Sequence, residues 1–147
     1  GVKQLLDDKY LERMEKVSLA VYKKLVQKLT KGIGLQLSMP QIQLLMFVRN
    51  GDPCIISDIA GHFDVTLGAV TGLVDKLESM GLVIRQRSGA DRRVVEILLT
   101  GKGEKVLEDI KANVIKLYKD SLSGFAEEDV RTYFKVTDRI VECILAD

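Results

Sequence analysis

Histidine is almost missing from this chain: His62 is the single one among 147 residues. With two cysteines, Cys54 and Cys143, at no CxxC or other metal-ligand spacing, neither a zinc site nor any other metal site is expected. Both cysteines read as small buried hydrophobes in a reduced compartment. Tryptophan is absent and aromatics are 5%, which leaves little surface on which bases could stack and argues against single-stranded nucleic acid as the main partner. No apolar run is long enough to span a bilayer and no signal peptide opens the sequence, so a cytoplasmic protein with no membrane partner is expected. Gly1 stands at the first position, where a processed start or a cloning remnant would place it. The formal charge of +1 supplies no global attraction for nucleic acid, so any field for DNA must be local. Between Asp52 and Thr100 seven acids outnumber five Lys or Arg, against strong non-specific binding. Catalysis lacks its parts as well. No nucleophile with a base, no paired carboxylates and no metal cluster can be assembled, so neither an enzyme nor a cofactor is expected.

What is present is a globular composition, 46% apolar and 29% charged, long enough for one domain with a core. The informative stretch runs from Ile56 to Thr100. Ser57 is placed to cap a short helix, Asp58 to Phe63, and Asp64 follows where a residue tolerant of left-handed geometry suits a turn. Thr66 can cap a second helix, in which Val70, Leu73, Val74, Leu77 and Met80 recur at helical spacing and Gly81 closes the end. That pattern turns Leu67, Gly68, Thr71, Gly72 and Asp75 or Lys76 outward. Leu82 to Ser88 and Val94 to Thr100 read as two strands of a hairpin, joined by Gly89-Ala90-Asp91-Arg92-Arg93. Arg85, Arg87, Arg92 and Arg93 gather there, opposed by Asp91. A helix-turn-helix followed by such a wing places one helix in the DNA major groove and arginines near phosphate or the minor groove. The bland alternatives are a small helical pair and a solvated polar loop. On the wing, Arg93 is expected at the minor groove, with Asp91 aiming it. Arg92 is expected to add phosphate attraction, and Arg85 and Arg87 to reach the backbone beside the groove.

Long helices flank this module. Val2 to Lys31 carries an apolar stripe (Leu6, Tyr10, Met14, Val17, Val21, Leu25, Leu29), widened by Leu5, Leu11, Tyr22 and Val26 and stopped by Gly32 and Gly34. Ser38 and Gln41 form a capping-box pattern with Pro40 in the first turn, and Ile42, Leu45, Met46 and Val48 are expected to face inward. Asn50-Gly51-Asp52-Pro53 is a turn, and Cys54-Ile55-Ile56 a short apolar bridge or third strand. Thr100 and Gly103-Glu104 start a helix that runs to about Leu122, with Val106, Ile110, Val114 or Ile115, and Leu117 on its apolar side. A break at residues 121–125 leads to a last helix opened by Glu127, Glu128 and Asp129, favourable at a positive helix end. Its apolar positions are Val130, Phe134, Val136 or Thr137, Ile140, Val141, Ile144 and Leu145. Such sticky ends suit a dimer interface; an intramolecular bundle is the alternative. The reading is a mainly α chain with a small β-wing: 37–103 a winged helix-turn-helix, 1–36 and 104–147 helical dimerisation regions.

Taken in order, these pieces resemble the MarR family of winged-helix transcriptional regulators. The resemblance covers nearly the whole layout and is sharpest from Leu37 to Leu107. Leu37 to Gln41 resembles the opening of the family's second helix. Ile59-Ala60 resembles its leucine-alanine pair, and Val70 to Val83 its recognition helix and first wing strand. Asp91-Arg92-Arg93 is similar to its wing signature, and Leu99 to Gly103 to the start of the helix after the wing. The resemblance implies a cytoplasmic homodimer, nucleoid-associated when bound to a palindromic double-stranded operator. It further implies a repressor released by a small phenolic or anionic effector held between dimerisation and winged-helix regions. Candidates for that cleft are Tyr10, Met14, Met46, Arg49 and His62. The recognition helix departs from the family. Leu67, Gly68 and Gly72 stand where serine and arginine are usual, and only Thr66 and Thr71 are polar. Either the operator is A·T-rich and read through wing and shape, or specificity is modest. A winged-helix module that binds protein instead of DNA is the rival reading, favoured by that helix and disfavoured by the arginine-rich hairpin.

Overall fold

A computed structural model describes residues 8–50 and 53–146, apart from the side chains of 8–11, 14, 17–20, 23 and 50. The chain divides into two compact units, Gly1–Asn113 and Val114–Asp147. Within the first lie α1 (Asp8–Leu29), α2 (Met39–Asn50), α3 (Ile56–Phe63), α4 (Leu67–Ser79), β1 (Val83–Arg87), β2 (Val95–Leu99) and the first half of α5 (Gly101–Leu122). The second holds the remainder of α5 and α6 (Glu127–Leu145). The fold is therefore mainly helical with a two-stranded wing, as the sequence pattern predicts.

Local chemistry sets the element ends. Helix α1 stops two residues before Lys31, as Thr30 donates its hydroxyl to the Val26 carbonyl and Gly32 and Gly34 take positive φ. Leu29 is buried and Leu25 and Val26 half-buried, but Val21 and Tyr22 are exposed. Leu5, Leu6 and the side chains of Tyr10, Leu11, Met14 and Val17 lie outside the described residues, as do Gly51 and Asp52 of the expected turn. Ser38 and Gln41 form the capping box: the Ser38 N–H donates to Gln41 Oε1 at 2.8 Å, and the Gln41 N–H to Ser38 Oγ at 3.4 Å. One inward position differs. Met46 is exposed, while Gln41, Ile42, Leu44, Leu45 and Val48 are buried. At 100° per residue, 41, 44, 45 and 48 share a face and 46 falls off it.

The cap of α3 also differs from expectation. Ser57 lies inside the helix, which starts at Ile56, and Asp58 reaches back instead: its Oδ2 accepts the Ile55 N–H at 3.1 Å. Ile56 is thus helical, and the expected third strand shrinks to a single bridge. There the Ile97 N–H donates to the Cys54 carbonyl at 2.8 Å. Cys54 is buried, and its thiol pKa is raised by desolvation and by the nearby Asp58 charge. Cys143, expected in a core, is exposed on α6.

The core of the first unit lies where α2, α3, α4 and α5 meet the sheet. Ile42, Leu45, Ile59, Val74, Leu77, Val83 and Ile97 are buried, and Val106, Leu107 and Ile110 extend the core along α5. Gly103 makes the close approach possible. A Cβ there would sit 2.2 Å from the Leu82 carbonyl oxygen and 2.9 Å from Leu99 Cδ2. Thr100 caps this junction from both sides, donating its hydroxyl to the Gly81 carbonyl at 2.6 Å and accepting the Gly103 N–H at 3.0 Å. Asn113 ties α5 to the end of α1 through the Leu29 and Lys31 carbonyls, at 2.8 and 3.0 Å.

In the second unit, α6 opens with Glu127, Glu128 and Asp129 in its first turn. Tyr133, Phe134, Val136, Ile140, Val141, Ile144 and Leu145 are all exposed. No helix among the described residues is long and apolar enough to cross a membrane.

Candidate nucleic-acid interface

Helices α3 and α4 are joined by a three-residue turn in which Asp64 is left-handed, at φ 51° and ψ 50°. The short carboxylate side chain tolerates that geometry better than most residues. Thr66 caps α4, its Oγ1 accepting the Ala69 N–H at 3.2 Å. The other end closes as a Schellman motif. Leu82 N–H donates to the Leu77 carbonyl and Gly81 N–H to that of Glu78, both at 2.9 Å, with Gly81 at φ +73°. Lys102 adds its ammonium to the Met80 carbonyl at 2.8 Å, a cation at the negative helix end.

Val70, Val74 and Leu77 are buried, and this fixes the face that α4 turns outward. Thr66, Leu67, Gly68, Gly72, Asp75 and Lys76 are exposed along it. Thr71 is only half-buried, and its hydroxyl donates to the Leu67 carbonyl at 2.9 Å, which leaves its oxygen free to accept. Nothing lies within 4 Å of a Cβ added at Gly68 or Gly72, so this face has room for a close partner.

The wing is a regular antiparallel ladder, Val83 opposite Leu99 through Arg87 opposite Val95. Its strands are a residue shorter at each end than the sequence pattern suggests, because Ser88 and Val94 already belong to the turn. Ser88 N–H donates to the Val94 carbonyl at 2.9 Å, and Val94 N–H to that of Asp91 at 2.9 Å. Within this turn Asp91 makes an Asx-type closure. Its Oδ1 accepts the Arg93 N–H at 2.9 Å and the Arg93 Nε–H at 3.4 Å. The Arg93 side chain is nonetheless 93% exposed. Arg87 donates to the Arg92 carbonyl at 3.0 Å, bracing the loop from the strand, and Arg92 itself is exposed.

Arg85 stands apart from the other arginines. Strand parity puts it on the face of buried Val83, and its guanidinium meets two carboxylates of α4, Asp75 and Glu78. Burial alone would lower its pKa, but hydrogen bonds and charge from these acids outweigh that, and the pKa lies above its ordinary value. This pairing was not read from sequence. The signals for it are the two-residue step from Val83 and the i,i+3 spacing of Asp75 and Glu78.

The cleft candidates differ in their surroundings. Met46 and His62 are exposed, and the His62 ring stacks on Phe47 with centroids 4.5 Å apart. Arg49 donates to Glu108 at 2.7 Å and lies 3.7 Å from Glu104, so α5 already engages its charge. The side chains of Tyr10 and Met14 are outside the described residues. Among the described residues, no group of three or more His, Cys, Asp or Glu is placed to hold a metal ion.

Helix pair, left-handed turn, capped second helix and arginine-tipped wing together define a winged helix-turn-helix regulator of the DNA-binding type. A model of the MarR family matches residues 37–95. YfiV of Bacillus subtilis (strain 168), an uncharacterized HTH-type transcriptional regulator, is 30% identical over 138 residues, 89% of this chain and 85% of that protein. A point mutant of S. aureus MepR bound to an oligodeoxyribonucleotide has 25% identity and a TM-score of 0.66, over 92% of this chain and 96% of that one. Streptococcus pneumoniae FabT in complex with DNA shares the fold with a TM-score of 0.78 at 23% identity, over 92% and 95% of the two chains. The chain belongs to the MarR family. Its members are regulators and not enzymes, and the family fold implies DNA binding and dimerisation.

Proposed function

We propose that the chain is a homodimeric repressor. Residues 37–103 would bind one half of a palindromic double-stranded operator, and 1–36 with 104–147 would form the dimer. Thr66, Leu67, Gly68, Thr71, Gly72 and Lys76 face the major groove in this reading. Leu67 packs on a thymine methyl, and a threonine hydroxyl reaches a phosphate or base edge. Arg93 enters or borders the minor groove, and Arg87 and Arg92 lie along the backbone, whereas the Arg85 guanidinium is turned to Asp75 and Glu78. The observation that carries the reading is the wing turn. Asp91 fixes the Arg93 backbone while the guanidinium stays 93% exposed, a charge that is both oriented and available. MepR and FabT, which share this fold, are seen with DNA. The finer proposal is that a small phenolic or anionic effector, bound near Met46, Arg49, His62, Tyr10 and Met14, releases the operator. Such an anion would compete with Glu104 and Glu108 for Arg49.

The test is a fluorescence-anisotropy titration of three variants on a duplex from the region upstream of the protein's own gene, at two salt concentrations. Arg93→Ala is expected to cost the most affinity, about 1–3 kcal/mol, and Arg92→Ala less. Asp91→Ala is expected to weaken binding although it removes a negative charge. Tighter binding by Asp91→Ala at both salts would show a charge patch in place of an aimed contact.

A further inference from the structure

We infer that Arg85, Asp75 and Glu78 form a positioning device that sets the wing against the recognition helix, and that Arg85 does not itself contact DNA. This rests on the DNA reading above. Glu78 grips β1 by two groups. Its Oε1 accepts the Arg85 backbone N–H at 3.2 Å, and its Oε2 accepts the guanidinium. Asp75, one turn back on α4, accepts from the second terminal nitrogen of the same guanidinium. A planar fork held at both ends by residues of one helix resists rotation as well as separation.

The placement makes this a matter of recognition and not only of stability. Asp75 and Glu78 continue the outward side of α4 on which Gly68, Thr71 and Gly72 sit, three and four residues apart and so on neighbouring turns of one face. Arg85 lies two and seven residues from Arg87 and Arg92, which reach the wing turn. Through one side chain, the angle between the helix in the major groove and the arginine at the minor groove is held constant. The Arg85 side chain is 25% exposed, against 93% for Arg93. Its charge is engaged inside the protein, whereas the tip arginine is open.

Charge offers a distinct rival account, because the three groups carry a net −1. Removing Arg85 makes −2, removing Glu78 makes 0, and removing both restores −1. If these residues act only through the field they present to phosphate, Glu78→Ala binds DNA more tightly and Arg85→Ala more weakly. The double variant then matches the wild type. If they position the wing, all three variants bind the own-upstream duplex about fivefold more weakly, and the double variant is no worse than either single one. An unrelated duplex of equal length should bind with unchanged affinity and salt slope, since no phosphate contact is lost. Simple loss of folding would weaken both duplexes alike.

Anisotropy titrations of wild type, Arg85→Ala, Glu78→Ala and the double variant on both duplexes decide it, with circular dichroism used to scale each Kd to folded protein. Arg85→Lys is a further arm that keeps the charge but cannot hold both carboxylates in one plane. It should also weaken the own-upstream duplex. A Glu78→Ala variant that binds more tightly, or an Arg85→Ala variant whose salt slope falls by about one unit on both duplexes, would overturn the proposal. A wild type that prefers neither duplex would overturn the DNA reading and this inference with it. Loss confined to the variants on the own-upstream duplex supports both.

Discussion

Gly103 shows how much can rest on one missing methyl group. The first turn of α5 passes so close to Leu82 that any Cβ would overlap a backbone carbonyl at 2.2 Å. A backbone atom cannot swing aside as a side chain can. Gly103→Ala is expected to destabilise the fold by about 1–3 kcal/mol, read as a lower midpoint in urea unfolding at unchanged slope. An unchanged midpoint would mean that α5 shifts freely from the wing base. The residue scale was partly legible in the sequence. Caps at Thr66 and Ser38, the left-handed Asp64 and the glycine after α4 follow from local chemistry, which the chain carries within a few residues. Ser57 misled because Ser is a good cap by type. The helix starts one residue earlier, at Ile56, so Ser57 falls inside it and the Asp58 carboxylate accepts the Ile55 N–H instead. The pairing of Arg85 was hidden because it joins a strand to a helix.

At the scale of elements, α4 is unusual in having so little side chain on its outward face. Gly68 and Gly72 leave open space, and the helix is held by buried Val70, Val74 and Leu77, by the Thr66 cap and by the Schellman closure. A helix this well fixed can accept a large residue outside. Gly72→Arg is expected to fold normally, gain affinity for any duplex and steepen the salt dependence by up to ~1 unit. Unchanged affinity and slope would place this face away from DNA. Helix and strand types were readable here because apolar periods of 3.6 and 2 differ plainly over a dozen residues. The inward set of α2 was less so. Met46 is apolar, yet the turn geometry leaves it outside, and apolar type alone does not settle facing.

For the whole molecule, the apolar face of α6 is the feature that sequence and structure present alike. Tyr133, Phe134, Ile140, Val141, Ile144 and Leu145 lie exposed at helical spacing, more apolar surface than a lone helix usually leaves in water. Cys143 shares this exposure, against the expectation of a buried thiol. The domain limits proposed at 36 and 104 concern how two chains meet, and a single chain's sequence reports that only as unpaired apolar surface. In the proposed dimer two modest half-sites on one duplex add their free energies, so that a helix with few polar groups can select a site. The most direct test of this account is sedimentation equilibrium at low micromolar concentration, alone and with a labelled duplex from the gene's own upstream region. The account predicts twice the 16.4 kDa chain mass for the free protein and saturation at two chains per duplex. A free monomer, or saturation at one chain per duplex, would contradict it.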